Sequence, residues 1–354
     1  MIKIGVVGGG HIVKHRHIPV FQKLKNAEVT AICDKDELIA KRVAERFNVK
    51  KYYTDLSEML EQPLDVVDIC TPPKTHSSLA LQAIRQGCHV LMEKPIAMTT
   101  GEVDLLYHNA RMHNVKLCAV HQNLYNPAVM RARHLVESGR VGDILSVEVG
   151  TMIRKENYMS KDGNHWCHRL PGGLFFELLP HPVYLLQIFL KKIQPYGVLA
   201  KKRGHYDWIK ADELRVLLDG NGGAGLIVGS CNSPFHGDTL NIFGTKMYVQ
   251  VDLWGRSIIE FRSRSEEPVS VGKANLRYAG QCMKLLGTTV SNSSSMMFNG
   301  IKVSAHYGFL EAFVNAIESD GELPVTEEDA KENVRIVGEI CKAIDMNSKQ
   351  LKAA

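Results

Sequence analysis

Two textures of hydrophobic patterning divide the chain. Over roughly the first 120 residues, five short apolar runs rich in β-branched side chains read as strands: KIGVVG, AEVTAIC, LDVVDIC, CHVLME and VKLCAV. Between them lie stretches such as Glu37 to Phe47 and Ser77 to Gln86, where apolar residues recur three and four apart, as on one face of a helix. This alternation predicts β-α-β units in a doubly wound parallel sheet. Beyond about residue 127 the pattern changes. PAVMRARHLVESG starts at a proline and stops at a glycine, as a helix does, and leads into the strand-like DILSVEVGTMI. LRVLLDGNGGAGLIVGS sets DGNGG between two apolar runs, and TLNIFGTKMYVQVDLWGRSIIEFRS gives three strands parted by GT and WG turns. An α+β region with a large, mostly antiparallel open sheet is expected there, with residues 262–300, including SNSSSMMFNG, as a long loop or flap. AHYGFLEAFVNAI and TEEDAKENVRIVGEICKAI close the chain as amphipathic helices; Val334, Val337, Ile340, Cys341 and Ile344 of the second share a face. The expected domains are residues 1–122 and 123–354, with the last helices free to pack back on the first domain.

Composition narrows the function classes. With 354 residues, 45% hydrophobic and 23% charged, the chain has the content of a globular protein with a sizeable core. A formal charge of +5 without a run of Lys or Arg argues against nucleic acid. The eight cysteines stand singly, as expected of reduced thiols, and neither a signal peptide nor a membrane-spanning run is visible, so a cytoplasmic protein is expected.

Ligands of an open parallel sheet sit beyond the carboxyl ends of its strands, so the residues after each apolar run carry the information. Strand one ends in GVVGGGHIV: Gly8 and Gly10, followed by His11 and Ile12, fit the first two glycines of a GxGxxG turn, with Val13 in place of the third. Strand two ends in AICDKD, placing Asp34, with Lys35 next to it, where an acid accepts hydrogen bonds from a ribose. A carboxylate there repels a 2'-phosphate and so favours NAD over NADP. Strand three delivers Thr71, Pro72 and His76, strand four Glu93 and Lys94, and strand five His121 and Gln122. Each has a plain structural alternative, such as a glycine turn, a solvated aspartate or a Glu93 and Lys94 ion pair, but all fall on one sheet edge.

A second anomaly is PGGLFFELLPHPVYLLQIFL, residues 171–190, an apolar stretch that nevertheless carries Glu177 and His181. A carboxylate enters such surroundings only with a partner. On a continuous helix the two would stack on one face, yet Pro180 and Pro182 each remove a helical hydrogen bond. A kinked helix, or two short ones with Pro182 near the start of the second, is therefore expected, with His181 at the bend.

Together, GVVGGGHI, CDKD, TPPKTH, EKP, HQNLYNPAV, GRVGDILSVEV and PGGLFFELLPHPVY resemble the Gfo/Idh/MocA oxidoreductases, the relatives of glucose-fructose oxidoreductase and inositol dehydrogenase. The resemblance spans nearly the whole chain. It implies an N-terminal Rossmann domain for NAD or NADP, a C-terminal α/β domain whose open sheet forms a homo-oligomer interface (dimer or tetramer), and a substrate cleft between them. The family's EKP lysine falls on Lys94, whose Lys-Pro peptide is often cis, and its Asp-x-x-x-His pair falls on Glu177 and His181. Val13 departs from the usual glycine loop that holds the cofactor, and Glu177, Leu124 and Tyr184 depart from the usual site pattern, leaving the substrate unassigned.

Oxidising a secondary alcohol of a sugar, cyclitol or sugar derivative requires loss of the hydroxyl proton as hydride leaves the same carbon. His181 is the candidate base, because an imidazole exchanges protons near neutral pH, with Glu177 on its other nitrogen and Lys94 donating to the substrate oxygen. Lys94 as the base is the alternative. Gln122, Tyr125, Trp166 and His168 are further candidates for contact with the sugar. A zinc site from His165, Cys167, His168 and His181 has suitable ligand types but no common spacing, and no metal is expected. Two other functions share the cofactor: a glycoside hydrolase that recycles NAD through transient sugar oxidation, and a non-catalytic NAD or sugar sensor.

Overall fold

In the computed structural model, which describes residues 1–262 and 267–353, the chain forms two compact units. The first comprises Met1–Gln122 and Asn299–Arg335, the second Asn123–Phe298 and Ile336–Ala354.

The first unit holds a six-stranded sheet in the order β3-β2-β1-β4-β5-β6, every pair parallel. Its strands are β1 (Ile2–Val7), β2 (Ala27–Cys33), β3 (Lys51–Tyr53), β4 (Val66–Ile69), β5 (His89–Met92) and β6 (Leu117–Ala119). The helices between them are α1 (Ile18–Phe21), α2 (Glu37–Phe47), α3 (Leu56–Leu60), α4 (His76–Arg85) and α5 (Thr100–Met112). β4 and β6 are buried at every position, as a parallel sheet covered on both faces requires. Five strands and two of the helices coincide with the sequence pattern. β3, three residues and half exposed, is too short to show a period. Side-chain caps start α2 and α5: Asp36 accepts from Leu38 N and Ile39 N, and Thr99 from Glu102 N. The switch between β1 and β4, where the strand order turns back, is the place at which such sheets open toward a ligand.

The second unit is built on a seven-stranded sheet, ordered β13-β12-β11-β7-β10-β9-β8, antiparallel except for β10 beside β7. Helix α6 (Pro127–Glu137) precedes β7 (Ile144–Arg154). Three short helices follow: α7 (Tyr158–Lys161), α8 (Leu174–Leu178) and α9 (Pro180–Phe189). Then come β8 (Lys191–Lys201), β9 (Glu213–Asn221), β10 (Gly223–Ser233), β11 (Gly237–Gly244), β12 (Met247–Asp252) and β13 (Ser257–Arg262). Burial alternates along β9, with Leu214, Val216 and Leu218 inside and Arg215 and Leu217 outside, so one face is covered and the other open.

The expected flap is overturned. α10 (Pro268–Asn299) is a 32-residue helix; residues 263–266 of that stretch lie outside the described residues. Its Ser, Asn and Gly content suggested a loop, but Val271, Ala274, Tyr278, Gln281 and Leu285 recur three and four apart on its less exposed side. Gln281 Nε2 donates to Glu260 O at 2.6 Å and its Oε1 accepts Glu260 N–H at 2.8 Å, so one side-chain amide closes the backbone of the terminal strand β13. α11 (Ala305–Glu318) and α12 (Glu327–Ala353) end the chain, and all five residues of the face expected in α12 are buried.

Candidate active site

Sterics decide the turn after β1. Gly8 has φ +100°, and a Cβ there would stand 2.8 Å from the Cys70 carbonyl oxygen. At Gly9 a Cβ would meet Ile39 Cγ2 at 2.4 Å, whereas nothing lies within 4 Å of one at Gly10. The backbone at Gly10 is therefore open to a ligand, as the approach of a pyrophosphate requires. Asp34, at the end of β2, is tied to this turn: its Oδ2 accepts Gly9 N–H at 2.7 Å and its Oδ1 accepts Asp36 N–H at 3.0 Å. The chain then enters a helical stretch with a π turn over Val13–His17, in which Val13 and His17 are buried. His11 is exposed, with its ring stacked on His15 at 4.1 Å; Ile12 and Thr71 are half-buried, and Lys35 and Pro72 face solvent. Gln122, after β6, keeps its buried Oε1 without a hydrogen-bond partner, an acceptor available to a donor on a ligand. Open glycine turn, tethered aspartate and orphaned acceptor fit a dinucleotide.

The Lys94-Pro95 peptide is cis, and Lys94 is half-buried beyond the end of β5. Two residues expected on the cofactor are instead spent inside the unit. His76 is fully buried, Nδ1 2.9 Å from Pro95 O and Nε2 2.7 Å from Thr71 O, bracing the loop that carries Lys94. Burial holds its pKa below the ordinary value, although the two carbonyls pull the other way. In its neutral form only one of the two ring nitrogens donates. Glu93 is 8% exposed: its Oε1 lies 3.0 Å from His17 Nε2, and its Oε2 accepts Lys94 N–H at 3.0 Å. Burial raises the Glu93 pKa, but the His17 hydrogen bond and the charges of His17, Lys94 and His306 outweigh it and bring it to about 2.

His17 was not among the residues singled out in the sequence. Its signal was the four-residue spacing Val13, His17, Phe21, all three buried. His17 Nδ1 lies 2.8 Å from Asp68 Oδ2 and 3.4 Å from Cys70 Sγ, both on or beside β4. Burial opposes a charge on His17, yet the Asp68 carboxylate, by charge and hydrogen bond, holds its pKa well above 6.5. His121 and His306 are buried and their pKa values fall to about 3, chiefly through desolvation.

In the second unit, the apolar stretch with Glu177 and His181 breaks as the prolines demand. α8 ends at Leu178, Leu179 is the junction, and Pro180 opens α9, where its missing N–H costs nothing. Both Glu177 and His181 are half-buried. The hydroxyl of Tyr184 lies 2.9 Å from His181 Nδ1 and accepts Asn123 N–H at 3.2 Å. Tyr184 thus stands at one ring nitrogen of His181. Its i+3 position on a helix starting at Pro180 was the available signal. Tyr125 and Trp166 are half-buried. His168 is turned inward: 9% exposed, with Nε2 2.8 Å from Met159 O and Nδ1 buried without a partner, it anchors α7 in place of facing a sugar. His165 Nδ1 is 3.0 Å from Cys167 Sγ; among the described residues the ligand-type cluster of three lies elsewhere, at His17, Asp68 and Cys70.

The first unit is thus a dinucleotide-binding Rossmann domain by strand order and by its glycine turn. Its sequence matches the family model for the oxidoreductase family with NAD-binding Rossmann fold over residues 2–121, and residues 129–250 match the Gfo/Idh/MocA C-terminal domain. The chain belongs to the Gfo/Idh/MocA oxidoreductases. An oxidoreductase of Formosa agariphila is 27% identical over 199 residues, which is 54% of this chain and 62% of the relative. The dTDP-3,4-didehydro-2,6-dideoxy-alpha-D-glucose 3-reductase of Streptomyces violaceoruber is 26% identical over 189 residues, 53% of this chain and 54% of the relative. Both matches span less than two thirds of those proteins. The fold is shared over 97% of this chain and 96% of the other with the WlbA dehydrogenase of Bordetella pertussis, solved with NADH and UDP-GlcNAcA, at TM-score 0.78 and 21% identity. Among the described residues no helix is long and apolar enough to cross a membrane.

Proposed function

We propose that the protein is an NAD-dependent oxidoreductase that transfers a hydride between a secondary alcohol of a sugar, cyclitol or sugar derivative and the nicotinamide. One observation carries this reading. At the carboxyl edge of a single parallel sheet, a glycine turn with open space over Gly10 is tied to Asp34, and Lys94 leaves the end of β5, on the other side of β4 from β1. Gly8, Gly10, Asp34 and Gln122 would hold the dinucleotide, which supplies the hydride acceptor or donor. The Asp34 carboxylate favours NAD over NADP by charge.

Lys94 donates to the substrate oxygen and stabilises the developing alkoxide, and His181 takes the hydroxyl proton. The Tyr184 hydroxyl serves the second role: when it accepts Nδ1–H, Nε2 is left with a lone pair for that proton. Glu177 supports the same segment. A homo-oligomer formed through the open face of the second sheet, where Tyr196, Leu199 and Leu217 are exposed, completes the reading, as does a cytoplasmic location.

Testing it means following a panel of sugars and cyclitols at the NADH absorbance band. Stoichiometric reduction of added NAD by one of them is expected. Release of nitrophenol from a nitrophenyl glycoside with only catalytic NAD would replace the reading with a redox-neutral hydrolase. Absence of NAD binding would remove it.

A further inference from the structure

Behind Lys94 lies a buried chain of charge that the proposed reaction does not consume. Asp68 and His17 are 0% exposed and Glu93 8%. His17 Nδ1 stands 2.8 Å from Asp68 Oδ2, and its Nε2 stands 3.0 Å from Glu93 Oε1. A carboxylate only accepts, so both contacts are hydrogen bonds only when both ring nitrogens carry hydrogen, as they do in the imidazolium and not in either neutral tautomer. Two buried carboxylates without that cation would leave uncompensated charge in a low-dielectric interior.

The groups packed around the ring agree with this. Cys70 Sγ is 3.4 Å from Nδ1 and 3.5 Å from Asp68 Oδ1, and burial with the Asp68 charge raises its pKa, so it stays a thiol. His306 meets the ring edge-on at 6.3 Å and His121 lies in the field of Glu93; desolvation keeps both neutral. Phe21 covers another side at 6.3 Å, and the charges of Arg16 and Lys94 act on His306. His17, Asp68 and Cys70 could also face a metal ion, but a cation bound at Nδ1 would displace the hydrogen that Asp68 accepts.

The other oxygen of Glu93 completes the chain by accepting Lys94 N–H at 3.0 Å. We propose that His17, held as an imidazolium between Asp68 and Glu93, is a positioning residue for Lys94. It locks Glu93, and Glu93 locks the backbone from which the lysine side chain leaves the sheet. The proposal rests on the reading of Lys94 as the residue at the reacting oxygen.

Its test has two arms with separate failures. The first needs no substrate. In full-length protein labelled with 15N-histidine, one ring should show both nitrogens protonated at pH 8, because its partners hold the proton well past the ordinary value of about 6.5, and that signal should vanish in His17→Asn. Only neutral or freely titrating rings at pH 8, or loss of the Nδ1 proton on adding Zn2+ alone, would overturn the imidazolium. The second arm uses the sugar that reduces NAD fastest. His17→Asn should lower kcat by about 10- to 100-fold, the range expected of a displaced reacting group, with KM for NAD within about twofold. The same substitution in a Lys94→Met background should cost nothing further. Equal losses in both backgrounds, or a wild-type kcat, would overturn the positioning role. A wild-type rate in Lys94→Met alone would instead sink the lysine assignment and leave the imidazolium standing. If His17→Asn does not fold, Glu93→Gln, which keeps the shape and removes one charge, should give the same kcat loss, and an unaltered kcat there would overturn the proposal.

Discussion

Two histidines, one in each unit, are held by opposite means. His17 is fully buried between two carboxylates and depends on charge; His181 is half-buried, at the first turn of a helix started by a proline, with a neutral hydroxyl at its Nδ1. Charge in a dry interior holds geometry firmly but fails abruptly, since loss of one partner leaves the other unpaired. A hydroxyl in a half-exposed place holds it more weakly and fails gently. The group proposed to exchange protons with substrate has the gentle support, and the group that must never change protonation has the charged one.

The largest test of this contrast is Asp68→Ala. It strands a buried cation and should cost about 3–5 kcal/mol of stability, read as a lower denaturant midpoint. A loss under about 1 kcal/mol, the scale of an exposed ion pair, would remove the contrast. Next come Lys94→Met and His181→Ala, each expected to leave NAD binding intact and to lower turnover by at least about 100-fold; a wild-type rate in either would sink that assignment. Asp34→Ala should weaken NAD by about tenfold and narrow its preference over NADP, because a charged hydrogen bond is worth about 1.5–3 kcal/mol. An unchanged ratio of the two affinities would count against a ribose contact. Smallest is Tyr184→Phe, which deletes neutral hydrogen bonds worth about 0.5–1.5 kcal/mol each, with a matching shift in the pH profile of turnover.

The same contrast has a pH signature. Glu93, at about 2 in the fold, adds stability that is present above its ordinary value of about 4.5 and lost as pH falls toward 2. His17, raised in the fold, adds stability that is full below about 6.5 and lost as pH climbs through its folded value. Their sum peaks between about pH 4.5 and 6.5. Denaturant midpoints followed from pH 3 to 9 should show that window in the wild type and a flatter curve in His17→Asn.

Those residues that obey a local period were legible in the chain. Gly8, Asp34 and Lys94 follow continuous apolar runs, so counting to the end of each strand finds them. The break between Leu178 and Pro180 was legible because proline acts on its own backbone. What escaped depends on partners distant in sequence. His17 looks like surface until β4 and β5 bring Asp68 and Glu93 to it, 51 and 76 residues on. Glu93 and His76 were seen as polar residues at a ligand edge, but whether such a group faces the ligand or braces the loop is decided by the carbonyls and rings packed behind it. α10 escaped because its small polar residues mask a period that only the neighbouring strand makes visible.

The Gln281 amide on β13 has a consequence for solubility. A sheet whose outermost strand bares its peptide groups invites another chain to join it and can grow without limit. Here one terminal strand has its backbone at Glu260 occupied by a glutamine from α10, and the other, β8, bears Pro195 and exposed lysines at 191, 192 and 201, which discourage joining. Self-association edge to edge is thereby made unfavourable at both ends of the sheet.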